Sequence, residues 1–227
     1  TIGLKEGERR SILASSVTVV DYGIVNLANI VRALEFVGAK VQISNCPNEI
    51  SRASRIVLPG VGAFGAGMKK LKEKRLDEAL KSASEDRPLM GICLGMQMLL
   101  NMSSEFGEHT GLGIISGNVI SIDSHVVGIE RQRLKIPHVG WRELHAANRD
   151  HQWKNSCLKN VERHDSVYFV HSYMAVPAHS DNILATCEYG ESKVVAAIIR
   201  SNVVGLQFHP ELSGNVGLKI LEAFINT

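Results

Sequence analysis

Short apolar runs alternate with helical patterns through the first hundred residues of this sequence. The runs that predict buried strands are 17–23, 40–44, 55–60 and 88–93. The segments that predict helices are 25–39, 65–82 and 94–102. Parallel strands must be joined by a crossover, usually a helix. This alternation therefore predicts a mostly parallel sheet with helices on both faces.

The second half of the chain is richer in strand patterns. Predicted strands are 113–122, 134–141, 165–173, 182–190, 193–200 and 203–209, and a last helix is predicted at 215–226. Residues 200–203 resemble a tight turn, which predicts an antiparallel hairpin. We therefore expect one α/β domain over residues 17–227, in which the parallel sheet acquires antiparallel strands. Residues 1–15 show little periodicity, and we expect a processed terminus, a targeting remnant or an expression artefact there.

Composition limits the classes of function open to the chain. Lys and Arg number 25 and Asp and Glu 23, and the net charge of +2 gives no footprint for nucleic acid. No apolar stretch reaches the length of a membrane span, so no membrane association is expected. The four cysteines, Cys46, Cys93, Cys157 and Cys187, include no CxxC pair and predict no metal site. Sparse cysteine is typical of a reducing compartment, and we expect a cytoplasmic protein.

One cysteine, Cys93, lies in a glycine-rich turn between a predicted strand and a predicted helix. Gly91 and Gly95 flank it in a G-x-C-x-G pattern, which is a nucleophile elbow with cysteine in place of serine. The glycines permit a strained backbone and close packing, and the helix N-terminus favours a thiolate. The alternative is a small buried hydrophobic residue without chemistry.

A thiol nucleophile needs a base, and the base needs a group that orients it. His209 follows a predicted strand, and Glu211 comes two residues later. Pro210 favours an extended backbone at His209, which would place both side chains on one face. We therefore expect His209 to meet the thiol while Glu211 holds the far ring nitrogen. The alternative is a strand-end histidine beside a solvated acid.

The segment LPGVGAFG, residues 58–65, places glycines directly after a buried strand. Their backbone N–H groups, together with that of Leu94, would form an oxyanion hole at the carboxyl edge of the sheet. The alternatives are a simple glycine turn or weak phosphate binding. The segment is not a P-loop, because the Gly-Lys-Ser/Thr ending is missing.

Taken in this order, the LPGxG loop, the GxCxGxQ elbow and the FHPE segment resemble the class I, triad-type glutamine amidotransferases. The resemblance extends over residues 17–227. Within that family, the chain is similar to the glutaminase subunits of imidazole glycerol phosphate synthase. The motifs that match this group are DYGIVNL (21–27), LPGVGAF (58–64), GICLGMQML (91–99), PHVGW (137–141) and YFVHSY (168–173).

The resemblance implies a mechanism and a set of site residues. Glutamine would be hydrolysed to glutamate and ammonia through a thioester on Cys93, with His209 as proton carrier and Glu211 as its orienter. The N–H groups of Gly62 and Leu94 would stabilise the oxyanion. Glutamine itself would be bound by Gly60, Gln97, Glu105, His171, Ser172 and Tyr173. No cofactor and no metal is implied.

The resemblance also implies a partner. In the family, ammonia passes through a tunnel to a separate (β/α)8-barrel synthase, which makes imidazole glycerol phosphate and an aminoimidazole carboxamide ribotide in histidine biosynthesis. A barrel takes about 250 residues, so we expect it on another chain, in a heterodimer. The implied interface residues are His138, Trp141 and Tyr168, with core or strand-end packing as the alternative. We expect weak glutaminase activity until the partner and its ligand bind, with the PGVG loop as the switch.

Three places differ from the pattern of that group. Val25-Asn26 follows DYG where Gly-Asn is usual, Arg142 follows HVGW where Asn is usual, and Leu212 follows FHPE where Lys is usual. None belongs to the triad, so the differences bear on the partner more than on the chemistry. The alternatives are a paralogous glutaminase that feeds another synthase, for example a sugar-amidating one, a catalytically silent binding subunit, and a thiol hydrolase of another γ-glutamyl substrate.

Overall fold

A computed structural model describes residues 15–23, 27–124, 134–147 and 151–227. The strands are β1 (Ser16–Val20), β2 (Lys40–Ser44), β3 (Ile56–Gly60), β4 (Leu89–Cys93), β5 (Met102–Ser103), β6 (His109–Thr110), β7 (Gly117–Ser121), β8 (His138–Glu143), β9 (His145–Ala146), β10 (Ser166–His171), β11 (Tyr173–Pro177), β12 (Ile183–Tyr189), β13 (Ser192–Arg200) and β14 (Val203–Leu206). The helices are α1 (Ala28–Phe36), α2 (Pro47–Ser51), α3 (Phe64–Glu73), α4 (Leu76–Ala83), α5 (Leu94–Met98), α6 (His151–Lys154) and α7 (Gly214–Ile225). Residues 1–14 of the N-terminal tail and the difference at Val25-Asn26 lie outside the described residues.

Eight strands form the central sheet, in the order β2-β1-β3-β4-β14-β13-β12-β9. The first five strands run parallel, and β13, β12 and β9 extend the sheet through antiparallel pairs. The residues of β3 and β4 are buried along the whole of both strands, as expected where both faces are covered. The predicted fold class, a mostly parallel sheet with an added antiparallel portion, is confirmed.

Helices cover both faces of this sheet, and each face has its own hydrophobic core. On one face, Leu34 of α1 belongs to the same core as Phe224 of α7. On the other face, Leu71 of α3 packs in a second core. Successive strand residues point to opposite faces, and accordingly Val57 joins the first core and Leu58 the second.

The hairpin predicted at residues 200–203 joins β13 to β14 and positions the later part of the chain. Its turn residue Ser201 has a left-handed backbone with φ of 52°. β14 then pairs in parallel with β4, with Leu206 opposite Ile92. Because the two strands end at the same edge of the sheet, the residues that follow β14 come beside Cys93.

Several elements differ from the sequence-based prediction. The helix predicted over 65–82 is divided into α3 and α4, because Arg75 takes a left-handed conformation with φ of 57°. The strand predicted over 165–173 divides into β10, which pairs with β8, and β11, which pairs with β7 in a four-stranded sheet. The helix predicted over 94–102 ends at Met98. Within the described ranges, no helix is long and apolar enough to cross a membrane.

Candidate active site

Cys93 is the last residue of β4 and stands directly before α5. Its backbone is strained, with φ of 53° and ψ of −111°, a region that residues other than glycine rarely adopt. Gly95 lets α5 pack against β3, since a Cβ there would lie 1.8 Å from the carbonyl oxygen of Leu58. The turn therefore has the strand–turn–helix geometry of a nucleophile elbow.

His209 lies just after β14, and its Nδ1 is 2.8 Å from Oε1 of Glu211. His209 has an extended backbone, and a 3-10 turn over Pro210–Leu212 brings Glu211 back to the ring. A carboxylate only accepts, so Nδ1 carries the proton and Nε2 is left free. Cys93 lines the same cavity as His209 and is close enough to raise the pKa of that histidine. Glu211 thus orients the imidazole that stands beside the cysteine.

The pKa of His209 results from opposing effects. Burial lowers it, because desolvation disfavours the imidazolium. Hydrogen bonds to Cys93 and Glu211, and the charges of both groups, outweigh burial and raise the pKa to about 10. The site therefore favours the protonated form of His209.

A closed set of hydrogen bonds, here named the Ser213 ring, ties the backbone of His209 to β10. The N–H of His209 donates to the carbonyl of Tyr168 at 3.0 Å. The N–H of Tyr168 donates to Oγ of Ser213 at 3.0 Å, and the Ser213 hydroxyl donates to the carbonyl of His209 at 2.6 Å. Ser213 is 1% exposed, so water does not compete for these bonds. The ring fixes the imidazole relative to the strand, and no sequence signal marked this serine.

A cavity of about 300 Å³ opens beside the Cys93 sulfur. It brings together most of the residues that the resemblance assigned to the substrate or its oxyanion: Gly62, Leu94, Gln97, Glu105, His171, Ser172 and Tyr173. Gly60 is not part of its lining. A Cβ at Gly60 would lie 2.6 Å from the backbone nitrogen of Gly95, so this glycine allows close packing of α5, and its assignment to the substrate stays a prediction.

Gly62 and Leu94, whose N–H groups the resemblance assigns to the oxyanion, both line the cavity. Gly62 has φ of 90°, which only glycine adopts readily, and Leu94 begins α5, so its N–H has no partner within the helix. Glu105 holds the loop between Gly62 and α3, because its Oε2 accepts a hydrogen bond from the N–H of Phe64 at 2.6 Å. Over the described part of the chain, no group of three or more His, Cys, Asp and Glu side chains could hold a metal ion.

Two glutamines connect the cavity wall to the sulfur. Gln97 donates from Nε2 to the carbonyl of Tyr173 at 3.0 Å and to Oε1 of Gln207 at 3.1 Å. Nε2 of Gln207 lies 3.8 Å from Sγ of Cys93. Gln207 was not predicted as a site residue. The available signal was a glutamine inside the apolar run VVGLQFH, next to His209 and its proline.

The implied interface residues separate into two groups. Trp141 is 51% exposed and makes an edge contact with Tyr168, with ring centroids 5.9 Å apart. The prediction for His138 is corrected, because its side chain is 0% exposed and stacks on Tyr189 at 4.1 Å and on Phe169 at 5.1 Å. His138 and Trp141 are three residues apart on β8, so they point to opposite faces, and only Trp141 can meet a partner.

His138 and His171 form a buried neutral pair. Nδ1 of His171 donates to the carbonyl of Tyr173 at 2.8 Å, so its Nε2 accepts from Nδ1 of His138 at 2.9 Å. Burial, with repulsion from His171 and Arg142, lowers the pKa of His138 to about 3. Burial also lowers the pKa of His171 to about 4, against the opposing effect of its bond to Tyr173.

We expect this pair to make the fold acid-sensitive. In the unfolded chain each imidazole binds a proton below about pH 6.5, whereas the folded protein does so only near pH 3 to 4. The free energy of unfolding should therefore fall as the pH is lowered through 6.5, by about 2 kcal/mol per histidine between pH 7 and pH 5. Urea unfolding at pH 7 and at pH 5 measures this change in the free energy of unfolding. His138→Phe keeps a stacked ring without the titrating group, so its free energy of unfolding should fall less between pH 7 and pH 5 than that of the wild type. An equal fall in both proteins would contradict the role of His138 in this acid sensitivity.

The two described differences from the family pattern are at Arg142 and Leu212, neither of which lines the cavity. Nη1 of Arg142 donates to the carbonyl of Trp141 at 2.7 Å, and its guanidinium carbon lies 5.5 Å from the Tyr189 ring centre. Leu212 follows Glu211 directly and is 42% exposed. Both residues can therefore shape a contact surface without entering the triad.

The chain is similar to known proteins along nearly its whole length. The family model described as "Glutamine amidotransferase class-I" matches residues 18–227. Imidazole glycerol phosphate synthase subunit HisH 1 of Legionella pneumophila (strain Lens) is 47% identical over 212 residues, which cover 93% of this chain and 99% of that protein. Imidazole glycerol phosphate synthase subunit HisH of Wolinella succinogenes is 44% identical over 209 residues, which cover 92% of this chain and 98% of that protein.

Solved structures share the fold. The structure of PurLQS from Thermotoga maritima matches with a TM-score of 0.70 at 22% identity, over 94% of this chain and 99% of that chain. A crystal structure of a glutamine amidotransferase matches with a TM-score of 0.66 at 16% identity, over 93% and 99% of the two chains. The chain belongs to the class I glutamine amidotransferase family and, within it, to the HisH glutaminase subunits of imidazole glycerol phosphate synthase.

Proposed function

We propose that Cys93, His209 and Glu211 are the triad with which this chain hydrolyses glutamine to glutamate and ammonia. One observation carries the proposal. A cysteine on a strained elbow and an imidazole line the same cavity, and a carboxylate holds that imidazole at 2.8 Å. Membership of the glutamine amidotransferase family supplies the substrate class.

In the first half of the reaction, the thiol proton moves to Nε2 of His209 and the sulfur attacks the side-chain amide carbon of glutamine. The carbonyl oxygen becomes an oxyanion, which the N–H groups of Gly62 and Leu94 stabilise in this proposal. The tetrahedral intermediate then collapses. Its C–N bond breaks, and His209 gives its proton to the leaving nitrogen. Ammonia leaves, and a glutamyl thioester remains on Cys93.

In the second half, a water molecule gives a proton to His209 while its oxygen attacks the thioester carbon. The C–S bond breaks, and the proton on His209 returns to the sulfur. Glutamate leaves, and the enzyme regains its starting state. Glu211 takes no proton in either half, because its part is to hold the ring in one orientation and to stabilise its charged form.

The cavity lining suits the amino-acid end of glutamine. Glu105 offers a carboxylate for the α-ammonium group. Both hydrogens of the Gln97 amide are used within the protein, so only its Oε1 is left for the substrate, and an acceptor also suits the ammonium. In this proposal the segment formed by His171, Ser172 and Tyr173 contacts the rest of the amino-acid end.

The ammonia is proposed to pass to a (β/α)8-barrel synthase, which forms a heterodimer with this chain in the cytoplasm. The relatives described above are named as subunits of imidazole glycerol phosphate synthase. The barrel would use the ammonia to make imidazole glycerol phosphate and aminoimidazole carboxamide ribotide. Exposed apolar side chains in the elements around the cavity support a docking face there: Val61, Val139, Trp141, Val170 and Leu212.

The experiment that tests this proposal is glutamine hydrolysis by the purified chain, alone and with a histidine-pathway barrel and its ribotide ligand. We expect weak activity alone and at least about tenfold stimulation by the loaded barrel, a coupling of ordinary size between two sites. A glutaminase that ran freely would waste its ammonia, which is the reason to expect coupling. Full activity of the isolated chain would contradict it.

A second candidate is a glutaminase that feeds a different synthase. Leu212 favours it, because an exposed leucine stands beside the triad where the group usually has lysine. An apolar side chain there suits a partner with an apolar patch rather than an acidic one. Absence of stimulation by the histidine-pathway barrel, with Cys93 still labelled by a glutamine-like electrophile, would select this candidate.

A further inference from the structure

A relay of two buried amides connects the cavity wall to the nucleophile. It starts at the carbonyl of Tyr173, passes through Gln97 and Gln207, and ends at Sγ of Cys93. Gln97 is 5% exposed and Gln207 is 0% exposed. Burying a primary amide is costly unless its polar atoms are paired. A thiol sulfur is a weak acceptor for such an amide, whereas an ionised sulfur is a much better one.

The orientation of both amides follows from one fixed acceptor. The carbonyl of Tyr173 only accepts, so the Gln97 atom 3.0 Å from it is the donor Nε2. The same nitrogen lies 3.1 Å from Gln207, whose facing atom must therefore be the acceptor Oε1. This leaves Nε2 of Gln207 to face Cys93, 3.8 Å from the sulfur. Gln207 thus presents a donor to the nucleophile and cannot turn its oxygen toward it without losing the bond to Gln97.

The sulfur has a different neighbour for each of its protonation states. The carbonyl of Val170, 4.0 Å away, accepts from the S–H of a neutral thiol. The side-chain N–H of Gln207 donates a hydrogen bond to the thiolate instead. The titratable groups that interact with the sulfur or line its cavity are His209, Tyr22, His171, Tyr173 and Glu105. Unlike these, the amide of Gln207 remains a donor at every pH.

We propose that Gln207 is a further catalytic residue, which stabilises the Cys93 thiolate through an N–H···S hydrogen bond. The proposal rests on the role of Cys93 as nucleophile. The bond strengthens when the proton moves from the sulfur to His209, and it weakens when the sulfur becomes a thioester. Gln97 is a positioning residue in this relay. Because the relay begins at the carbonyl of Tyr173, we expect a shift of the cavity wall on glutamine binding to be transmitted to the sulfur through Gln97 and Gln207.

The test follows alkylation of each cysteine by iodoacetamide, resolved by mass spectrometry, as a function of pH in the wild type and in Gln207→Met. Methionine is similar in length but has no N–H donor. Alkylation of Cys93 in the variant is expected to be about tenfold slower at neutral pH, with the midpoint of its profile about one pH unit higher. Cys46, which is partly exposed, is the internal reference and should keep its rate. Gln42→Met, at an exposed glutamine of β2, is the matched control.

Gln207→Glu is the second variant. It keeps an oxygen for Gln97 but places a carboxylate in place of the donor, so Cys93 should react more slowly still. Thermal unfolding shows whether each variant is folded, and Gln207→Glu decides the matter if the methionine variant does not fold. An unchanged Cys93 profile in a folded variant overturns the proposal. If the wild type hydrolyses no glutamine, the proposed function fails, while the alkylation profiles still decide the role of Gln207.

Discussion

Replacement of Cys93 by alanine is expected to reduce glutamine hydrolysis by about 10⁴-fold or more, the usual cost of removing the nucleophile of a triad. In the proposed mechanism the sulfur forms the covalent intermediate, and alanine has no nucleophile to take its place. Synthesis from added ammonia should continue, since the synthase reaction takes place on the partner. The measurement is glutamate formation from glutamine, and product formation from ammonia, by the complex of this variant with its synthase.

Cys46→Ala is the matched control for that experiment. It removes a partly exposed thiol that does not line the cavity, and it should keep full activity on both nitrogen sources. Glutamate formation by the Cys93→Ala complex within a few-fold of the wild type would show that another group is the nucleophile. Loss of the ammonia-dependent reaction as well would show that the substitution disrupts the complex and would contradict the separation of the two activities.

Gly95→Ala is expected to destabilise the fold strongly. Its Cβ would lie 1.8 Å from the carbonyl oxygen of Leu58, and a backbone atom in the middle of a parallel sheet cannot turn aside as a side chain can. Either β3 or α5 must move. We expect a loss of at least about 3 kcal/mol in the free energy of unfolding, or roughly 6 to 12 °C in the melting temperature. Glutaminase activity should fall as well, because α5 carries the elbow with it.

Gly38→Ala is the comparison for this prediction. Gly38 has φ of 91°, but a Cβ there meets nothing within 4 Å. Alanine should therefore cost only about 1 to 2 kcal/mol, for the left-handed backbone alone. Calorimetric melting of both variants makes the test. A Gly95→Ala protein as stable as the Gly38→Ala protein would mean that α5 does not pack on β3 as closely as described.

The parallel half of the fold could be predicted because its signals are local. Strands β1, β3 and β4 are short apolar runs buried in the sheet, and a segment with helical spacing comes after each of them. The break between α3 and α4 could not be predicted, since residues 72–75 contain neither proline nor glycine. A left-handed arginine is selected by tertiary packing, which no local pattern of residues reports.

The candidate site likewise contains residues that local motifs indicate and residues that only tertiary packing brings together. Cys93, His209 and Glu211 stand at spacings that the chemistry requires, so the motifs alone indicated them. The resemblance placed both His138 and Trp141 at an interface, whereas the two residues stand on opposite faces of β8 and the side chain of His138 is buried. The partners of Gln207 and Ser213 could not be found in the sequence, since Gln207 meets Gln97 across 110 positions and Ser213 meets Tyr168 across 45.

The Ser213 ring consists of main-chain groups apart from one hydroxyl. The side chain of Tyr168 takes no part in it and lies against the exposed Trp141. Side chains on that outer face can therefore be exchanged while the bonds that hold the imidazole stay as they are. Partner choice and chemistry can evolve separately in such a molecule. In the proposed function, a descendant can change the surface that meets its synthase and keep the bonds that hold its imidazole.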